Sequence, residues 1–167
     1  SVGFLYRVDC RLRPWGNAGP LVPTAQGWLR YVQGSADPWE RQALLRARPV
    51  AGDLSRGRAL LDAALPSLLA DAPGCRGRIR AMKDRVEVQS LRGRRDDVKL
   101  SPGGIRDIEF LVQALQIELG EMHPEVIDSN TPVALAALEA AGKVSTEEAD
   151  VLRNGYEFLR TVEHRLQ

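Results

Sequence analysis

The chain has 167 residues, 44% of them hydrophobic and 27% charged, so it is long enough to bury a core without disulfide or metal staples. Its 23 Lys and Arg balance 22 Asp and Glu for a net charge of +1, which excludes a strongly basic nucleic-acid arm and an acidic tail. No apolar run approaches the ~18–20 residues that span a bilayer, and no secretory leader pattern opens the chain.

Residues 4–12 alternate. Phe4, Tyr6, Val8, Cys10 and Leu12 fall on one face, and Leu5, Arg7, Asp9, Arg11 and Arg13 on the other. A period of two predicts a half-buried strand. Pro14 to Pro20 reads as a turn and Leu21-Val22 as a short extended return, so residues 1–22 are expected to form a β-hairpin remnant. Helices follow. Thr24 can cap one through Tyr31 and Val32. Asp37-Pro38 places a cap before proline at the first helical position and opens a helix from Trp39 to about Arg48. Asp53 or Ser55 starts a leucine-rich helix that Pro66 should kink or split.

Gly74 then separates a helix carrying Ile79, Met82 and Val86. Arg92 to Pro102 reads as a polar loop. Gly103-Gly104 precede a helix with Ile105, Ile108, Val112, Leu115 and Leu119 at helical spacing, stopped by Gly120. Thr131-Pro132 starts the next and Gly142 ends it. Ser145-Thr146-Glu147-Glu148 is a capping box opening a last helix with Ala149, Leu152, Tyr156, Leu159, Val162 and Leu166 on one stripe. The expected class is mainly α: a helical bundle after a short β-hairpin.

Only Lys83, Lys99 and Lys143 are lysines, so arginine dominates the basic residues. Arginine forms rigid bidentate contacts with phosphate and carboxylate, but GC-rich coding DNA gives the same bias and is the better general explanation. Cys10 and Cys75 show neither CxxC spacing nor a His-rich neighbourhood, which argues for a reducing cytoplasm. The basic stretch from Arg76 to Arg95 contains no aromatic residue for stacking, and Asp84 and Glu87 offset it, so nucleic acid is not expected as a partner. His164 is expected to pack or hydrogen-bond on the last helix, and His123 has no evident partner.

The chemistry-bearing row is Arg7, Asp9, Arg11 and Arg13 on one strand face. Such a row suits a metal at Asp9 and a polyphosphate at the arginines, or equally a solvated face of weak ion pairs. Gly103 and Gly104 leave backbone N–H groups at a helix start, which suits an anion assisted by Arg106. The bland alternative is tight helix packing, with Arg106 paired to Glu109 at i+3. Asp107 and Glu109 lie about 200° apart around a helix and make a poor chelating pair.

Four blocks share a resemblance. These are Val8 to Gly16 (VDCRLRPWG), Trp39 to Leu44 (WERQAL) with Ala47 to Asp53 (ARPVAGD), Gly103 to Phe110 (GGIRDIEF), and the closing Phe158 to Gln167 (FLRTVEHRLQ). In order and spacing they resemble the bifunctional glutamine synthetase adenylyltransferase/adenylyl-removing enzymes. The resemblance implies the end of a nucleotidyltransferase domain over residues 1–52 and a helical bundle over 53–167. It implies transfer of AMP to a tyrosine of glutamine synthetase, or its phosphorolytic removal, with Mg²⁺ and ATP or ADP. It makes Asp9 the third metal carboxylate, the catalytic and metal residue, and Arg7, Arg11, Arg13, Arg48 and Arg106 phosphate or nucleotide contacts. Glu40, Gly103, Gly104, Asp107 and Glu109 are supporting candidates.

The family's Gly-Ser loop and Asp-x-Asp pair are expected upstream of Asp9, and a lone Asp9 does not hold Mg²⁺ tightly, so this chain alone is expected to be inactive and to bind neither Mg²⁺ nor ATP or ADP tightly. Ser101 to Phe110 and Arg13 to Gly16 look more like the adenylyl-removing half. The competing reading is a helical binding module for glutamine synthetase or a PII signalling protein. A related enzyme that uridylylates PII is a third possibility, against which the Arg106 to Phe110 block is expected to argue.

Overall fold

A computed structural model describes residues 10, 13–70, 72, 74–77, 80, 81, 84 and 98–166. Among these the chain is helical: α1 (Ala25–Gly34), α2 (Pro38–Leu44), α3 (Leu54–Leu69), α4 (Ile105–Leu119), α5 (Thr131–Ala140) and α6 (Thr146–Leu166), with a further helical turn at 75–77. The predicted strand over 4–12 lies outside the described residues apart from Cys10, as do Ile79, Met82 and Val86. The hairpin's predicted return does not form: Leu21 and Val22 are bent and exposed. Pro20 and Pro23 flank them, and two residues without N–H groups cannot carry a ladder.

Most helix starts close locally. Thr24 Oγ1 accepts from Gly27 N at 3.1 Å. Ser145 and Glu148 exchange both bonds of the capping box, Ser145 N to Glu148 Oε2 at 2.9 Å and Glu148 N to Ser145 Oγ at 3.2 Å. Asn130, one residue before the predicted start, caps α5. Asp53 caps α3, accepting from Arg56 N at 3.0 Å and from Ser55 Oγ at 2.7 Å. These bonds, first the backbone one and then the hydroxyl, hold the Asp53 carboxyl below its ordinary value.

A depressed folded-state pKa adds stability above the unfolded value and loses it as pH falls through the folded value. Asp53→Asn keeps a cap without the charge. The stability difference between wild type and Asp53→Asn is therefore expected to shrink between about pH 6 and pH 3. Thermal melts across that range check this; a difference constant with pH would refute it.

Two helices depart from expectation. α3 runs unbroken through Pro66, because the proline is itself exposed, sits in the last turn and costs only one backbone bond there. α2 ends at Leu44, four residues before Arg48. Leu45, Arg46 and Ala47 donate to carbonyls three residues back, tightening the chain ahead of Pro49. Trp39 is 48% exposed, and Gln42 is the buried residue of α2.

α4 is the spine of the fold. Its Ala114 and Ile117 join Val32, Leu45, Ala64, Leu68 and Cys75 in one apolar cluster. Its Val112 joins Val126, Leu135, Leu138 and Ala149 in a second. Ile105 and Ile108 meet Tyr156 in a third. The apolar stripe of the sequence is thus too narrow a description. Gln113, Ala114, Gln116 and Ile117 are buried as well, since α4 packs against α3, itself backed by α1 and α2, as well as against α5 and α6. No helix among the described residues is long and apolar enough to cross a membrane.

Candidate functional site

The site grows from the early end of α2. Gln42 and Arg46 lie four residues apart, on one side of a helical path. Gln42 Nε2 donates to Gln113 Oε1 at 2.7 Å in the buried seam with α4. Arg46 reaches further. Its Nη1 lies 2.6 Å from Glu109 Oε1 and 3.2 Å from Thr131 Oγ1. Tyr156 on α6 donates its hydroxyl to the same Glu109 oxygen at 3.2 Å. One guanidinium therefore ties the turn after α2 to α4, to the start of α5 and, through Glu109, to α6.

Arg46 lines two cavities. One is a polar cleft of about 860 Å³ bordered by Arg48, Thr131, Tyr156, Glu157 and Arg160. Arg48 is exposed there, with no partner among the described residues, while Arg160 Nη1 donates to Glu163 at 2.7 Å. The other is an apolar hollow of about 370 Å³ between α1 and α2, walled by Pro14, Trp28, Tyr31, Val32, Ala43 and Leu44. Arg13 and Glu40 also line it. Arg13 Nη1 donates to Cys10 O at 2.5 Å, while the buried Arg13 Nε–H has no acceptor among the described residues. The Tyr31 hydroxyl donates to Glu40 at 2.9 Å, and burial, followed by that bond, pushes the phenol above its ordinary value.

The predicted site residues separate accordingly. Arg7, Asp9 and Arg11 lie outside the described residues. Arg13 and Glu40 meet at the hollow, Arg48 faces the cleft, and Glu109 stands behind Arg46. Glu40 also has a structural task, accepting from Asp37 N at 2.9 Å in the α2 capping box.

The start of α4 is closed by its own chain. Gly103 N donates to Asp107 Oδ2 at 2.8 Å, Gly104 N to Ser101 O at 2.8 Å, Ile105 N to Val98 O at 3.1 Å and Arg106 N to Lys99 O at 3.2 Å. These bonds occupy the N–H groups that the sequence offers to an anion. Gly103 has φ +76°, and a Cβ on Gly104 would sit 2.7 Å from two carbonyl oxygens, so both glycines are required by the turn itself. Arg106 does not pair with Glu109. It lies over the Phe110 ring, 5.7 Å from its centre. Among the described residues no three His, Cys, Asp or Glu side chains gather to hold a metal, and Asp107 and Glu109 are engaged by Gly103 and Arg46.

Two histidine expectations are corrected. His164 is exposed, and His123 Nδ1 lies 3.0 Å from Glu125 Oε1, a partner only two residues away. Arg46, Thr131 and Tyr156 were not among the sequence candidates. The available signal was the pair Gln42 and Arg46, polar at i and i+4 on the side where α2 must bury something.

The chain matches two family profiles: residues 1–63 that of glutamate-ammonia ligase adenylyltransferase, and residues 80–167 that of GlnD PII-uridylyltransferase. The second match contains Arg106 to Phe110, so that block does not separate the two families as expected. Curated relatives named bifunctional glutamine synthetase adenylyltransferase/adenylyl-removing enzyme align over nearly the whole chain. The relative from Xanthomonas axonopodis pv. citri is 42% identical over 99% of this chain and 18% of its own length. That from Streptomyces avermitilis is 40% identical over 99% and 17%, and that from Mycobacterium avium 42% over 97% and 16%. This chain thus spans less than a fifth of the relatives it matches. Identity of about 40% end to end, across both the arginine-rich opening and the helices, makes it a member of the family of bifunctional glutamine synthetase adenylyltransferase/adenylyl-removing enzymes.

Proposed function

We propose that the chain closes a nucleotidyltransferase unit and supplies its helical bundle, in an enzyme that transfers AMP to, or removes it from, a tyrosine of glutamine synthetase in the cytoplasm. The observation that carries this reading is the 42% identity across 99% of the chain to a relative of that name. Residues 1–52 are the end of the catalytic unit and 53–167 the bundle. Asp9 is the catalytic and metal carboxylate, completed by two more from elsewhere in the enzyme. Arg7, Arg11, Arg13 and Arg48 bind nucleotide phosphates. Mg²⁺, when bound, supplies positive charge to the transferred phosphoryl group. The chain's own described residues orient and bind: Glu109 and Thr131 hold the Arg46 guanidinium between the two cavities, and Arg48, without a partner among the described residues, offers its charge in the polar one. Removal of AMP, rather than its transfer, is favoured by the Arg13 to Gly16 and Ser101 to Phe110 blocks.

The match of residues 80–167 to the PII-uridylyltransferase profile supports a second reading, in which the bundle docks glutamine synthetase or a PII protein without chemistry of its own. Isothermal titration separates them. Under the first reading the chain binds Mg-ATP or ADP, Asp9→Ala abolishes that binding, and the isolated chain neither transfers nor releases AMP. Binding of PII or glutamine synthetase that ignores Asp9→Ala, with no nucleotide binding, supports the second. AMP turnover by the purified chain would refute its expected inactivity.

A further inference from the structure

We propose that the polar cleft beside Arg46 is an oxyanion site that takes a phosphate group, with Arg46 and Arg160 as contacts beside Arg48. The inference rests on the nucleotide reading above only for Arg48. It adds the place where a phosphate is held and two residues that hold it. The cleft, about 860 Å³, is lined by arginines from two parts of the chain: Arg46 and Arg48 follow α2, and Arg160 belongs to α6. Among the described lining residues one carboxylate, Glu157, stands against them. Glu109 and Glu163, the partners of Arg46 and Arg160, are not part of that lining. Like charges brought to one cleft raise its potential and draw an anion.

The arginines are held in place with donors to spare. Arg46 uses one nitrogen, Nη1, for both Glu109 and Thr131 Oγ1. Arg160 uses Nη1 for Glu163, and its guanidinium lies over the Tyr156 ring, 5.8 Å from the centre. Every guanidinium nitrogen carries N–H, so Nε and Nη2 of both side chains keep donors without a partner among the described residues. Water reaches them, since the two side chains are 36% and 45% exposed. Arg48 is exposed and likewise without a partner among the described residues. A carboxylate, flat and singly charged, is satisfied by one arginine fork. A phosphate is tetrahedral and presents oxygens in several directions, which suits guanidiniums arriving from separate elements. The hydroxyls of Ser129, Thr131 and Thr161 in the same walls suit those oxygens too. An apolar ligand would set hydrocarbon against three charges. Inorganic phosphate, which phosphorolytic removal of AMP would consume, and the phosphates of a nucleotide share this chemistry.

The test is calorimetric titration of the chain with orthophosphate at constant ionic strength. Saturable binding in the millimolar range is expected. Arg48→Gln and Arg160→Gln are each expected to weaken it about fivefold. Neither should disturb the fold, because Arg48 has no partner among the described residues and Glu163 keeps Lys99 at 3.5 Å when Arg160 is replaced. Arg46→Lys keeps the charge and loses the fork. It is expected to weaken phosphate by a similar factor, with its melting temperature checking that it folds. Arg165→Gln removes the same charge from the same helix outside the cleft and is expected to change nothing. Mg-ADP then identifies the source. Competition with orthophosphate assigns the cleft to a nucleotide's phosphates, and binding of both at once assigns it to the free ion; either result supports the site. Absence of saturable orthophosphate binding, or equal weakening by Arg165→Gln and Arg160→Gln, would overturn the site, and Mg-ADP binding that depends on Asp9 would still leave the nucleotide reading standing. Orthophosphate binding that needs Arg48 and Arg160, without any Mg-ADP binding, would keep the site and overturn the nucleotide reading.

Discussion

Arg46→Met is expected to lower the stability of the chain by about 2 kcal/mol, seen as a fall of about 5 °C in the melting temperature. Methionine retains most of the aliphatic stem, so the loss is electrostatic rather than a cavity. Glu109 is 15% exposed and would keep only the Tyr156 hydroxyl, and Thr131 Oγ1 would lose its donor. Removing one partner of a fully buried pair costs about 3–5 kcal/mol, but the Arg46 side chain is 36% exposed and water screens part of the interaction. Pairing Arg46→Met with Glu109→Gln makes a double-mutant cycle. A coupling of about 1–2 kcal/mol is expected for residues sharing one network. Additive losses would mean that the contact holds nothing together. Raising the salt concentration should reduce the coupling only slightly, since partly buried pairs are weakly screened.

Gln116→Leu is expected to be the more damaging change, by about 3 kcal/mol. Gln116 is 2% exposed, and its Nε2 donates to Val126 O at 2.9 Å and Asp128 O at 2.8 Å. The side chain thereby pins the connection that leads from α4 to the start of α5. Leucine is close in volume, so the cost comes from two carbonyls left without a donor at about 1–3 kcal/mol each, relieved in part by water reaching Asp128. Because that connection delivers Asn130 and Thr131 to the polar cleft, hydrogen exchange should quicken over 124–131 before it does in α4. Unchanged stability, or exchange that quickens uniformly across the chain, would count against this role.

Gln116 and Arg46 also mark where reading the sequence stopped. Gln116 is polar in apolar surroundings and Arg46 is held by Glu109 and Thr131, whereas hydrophobic periodicity assigns both to a solvated face. Ile105, Ile108 and Val112 were legible as the core stripe of α4, but Gln113 and Gln116 were not, because their burial depends on partners far along the chain. Gln42 and Gln113 are 71 positions apart, and Arg46 and Thr131 are 85. The reverse error occurred at Gly103-Gly104. Their N–H groups look open to an anion in sequence, yet the carbonyls of Val98, Lys99 and Ser101 and the carboxylate of Asp107 fold back onto that helix start. Trp39 shows the same limit on the apolar side: it is large and apolar yet 48% exposed, because the register of α2 turns Gln42 inward instead.

What the sequence determined by itself is the local grammar of the bundle and the family to which the chain belongs. Thr24, Asp53 and Ser145 start helices where expected, because a capping bond closes within three residues and needs no tertiary partner. The family was legible in four blocks of side chains whose order and spacing survive without knowledge of their contacts. The tertiary structure alone decided which charges are solvated and which are structural. It joined Arg46 to Glu109, left Arg48 in the cleft without a partner among the described residues, and placed Arg13 against an apolar hollow. The physical reason is that the fate of a charge follows from which distant group reaches it and how much water remains, and both are properties of packing rather than of neighbouring residues.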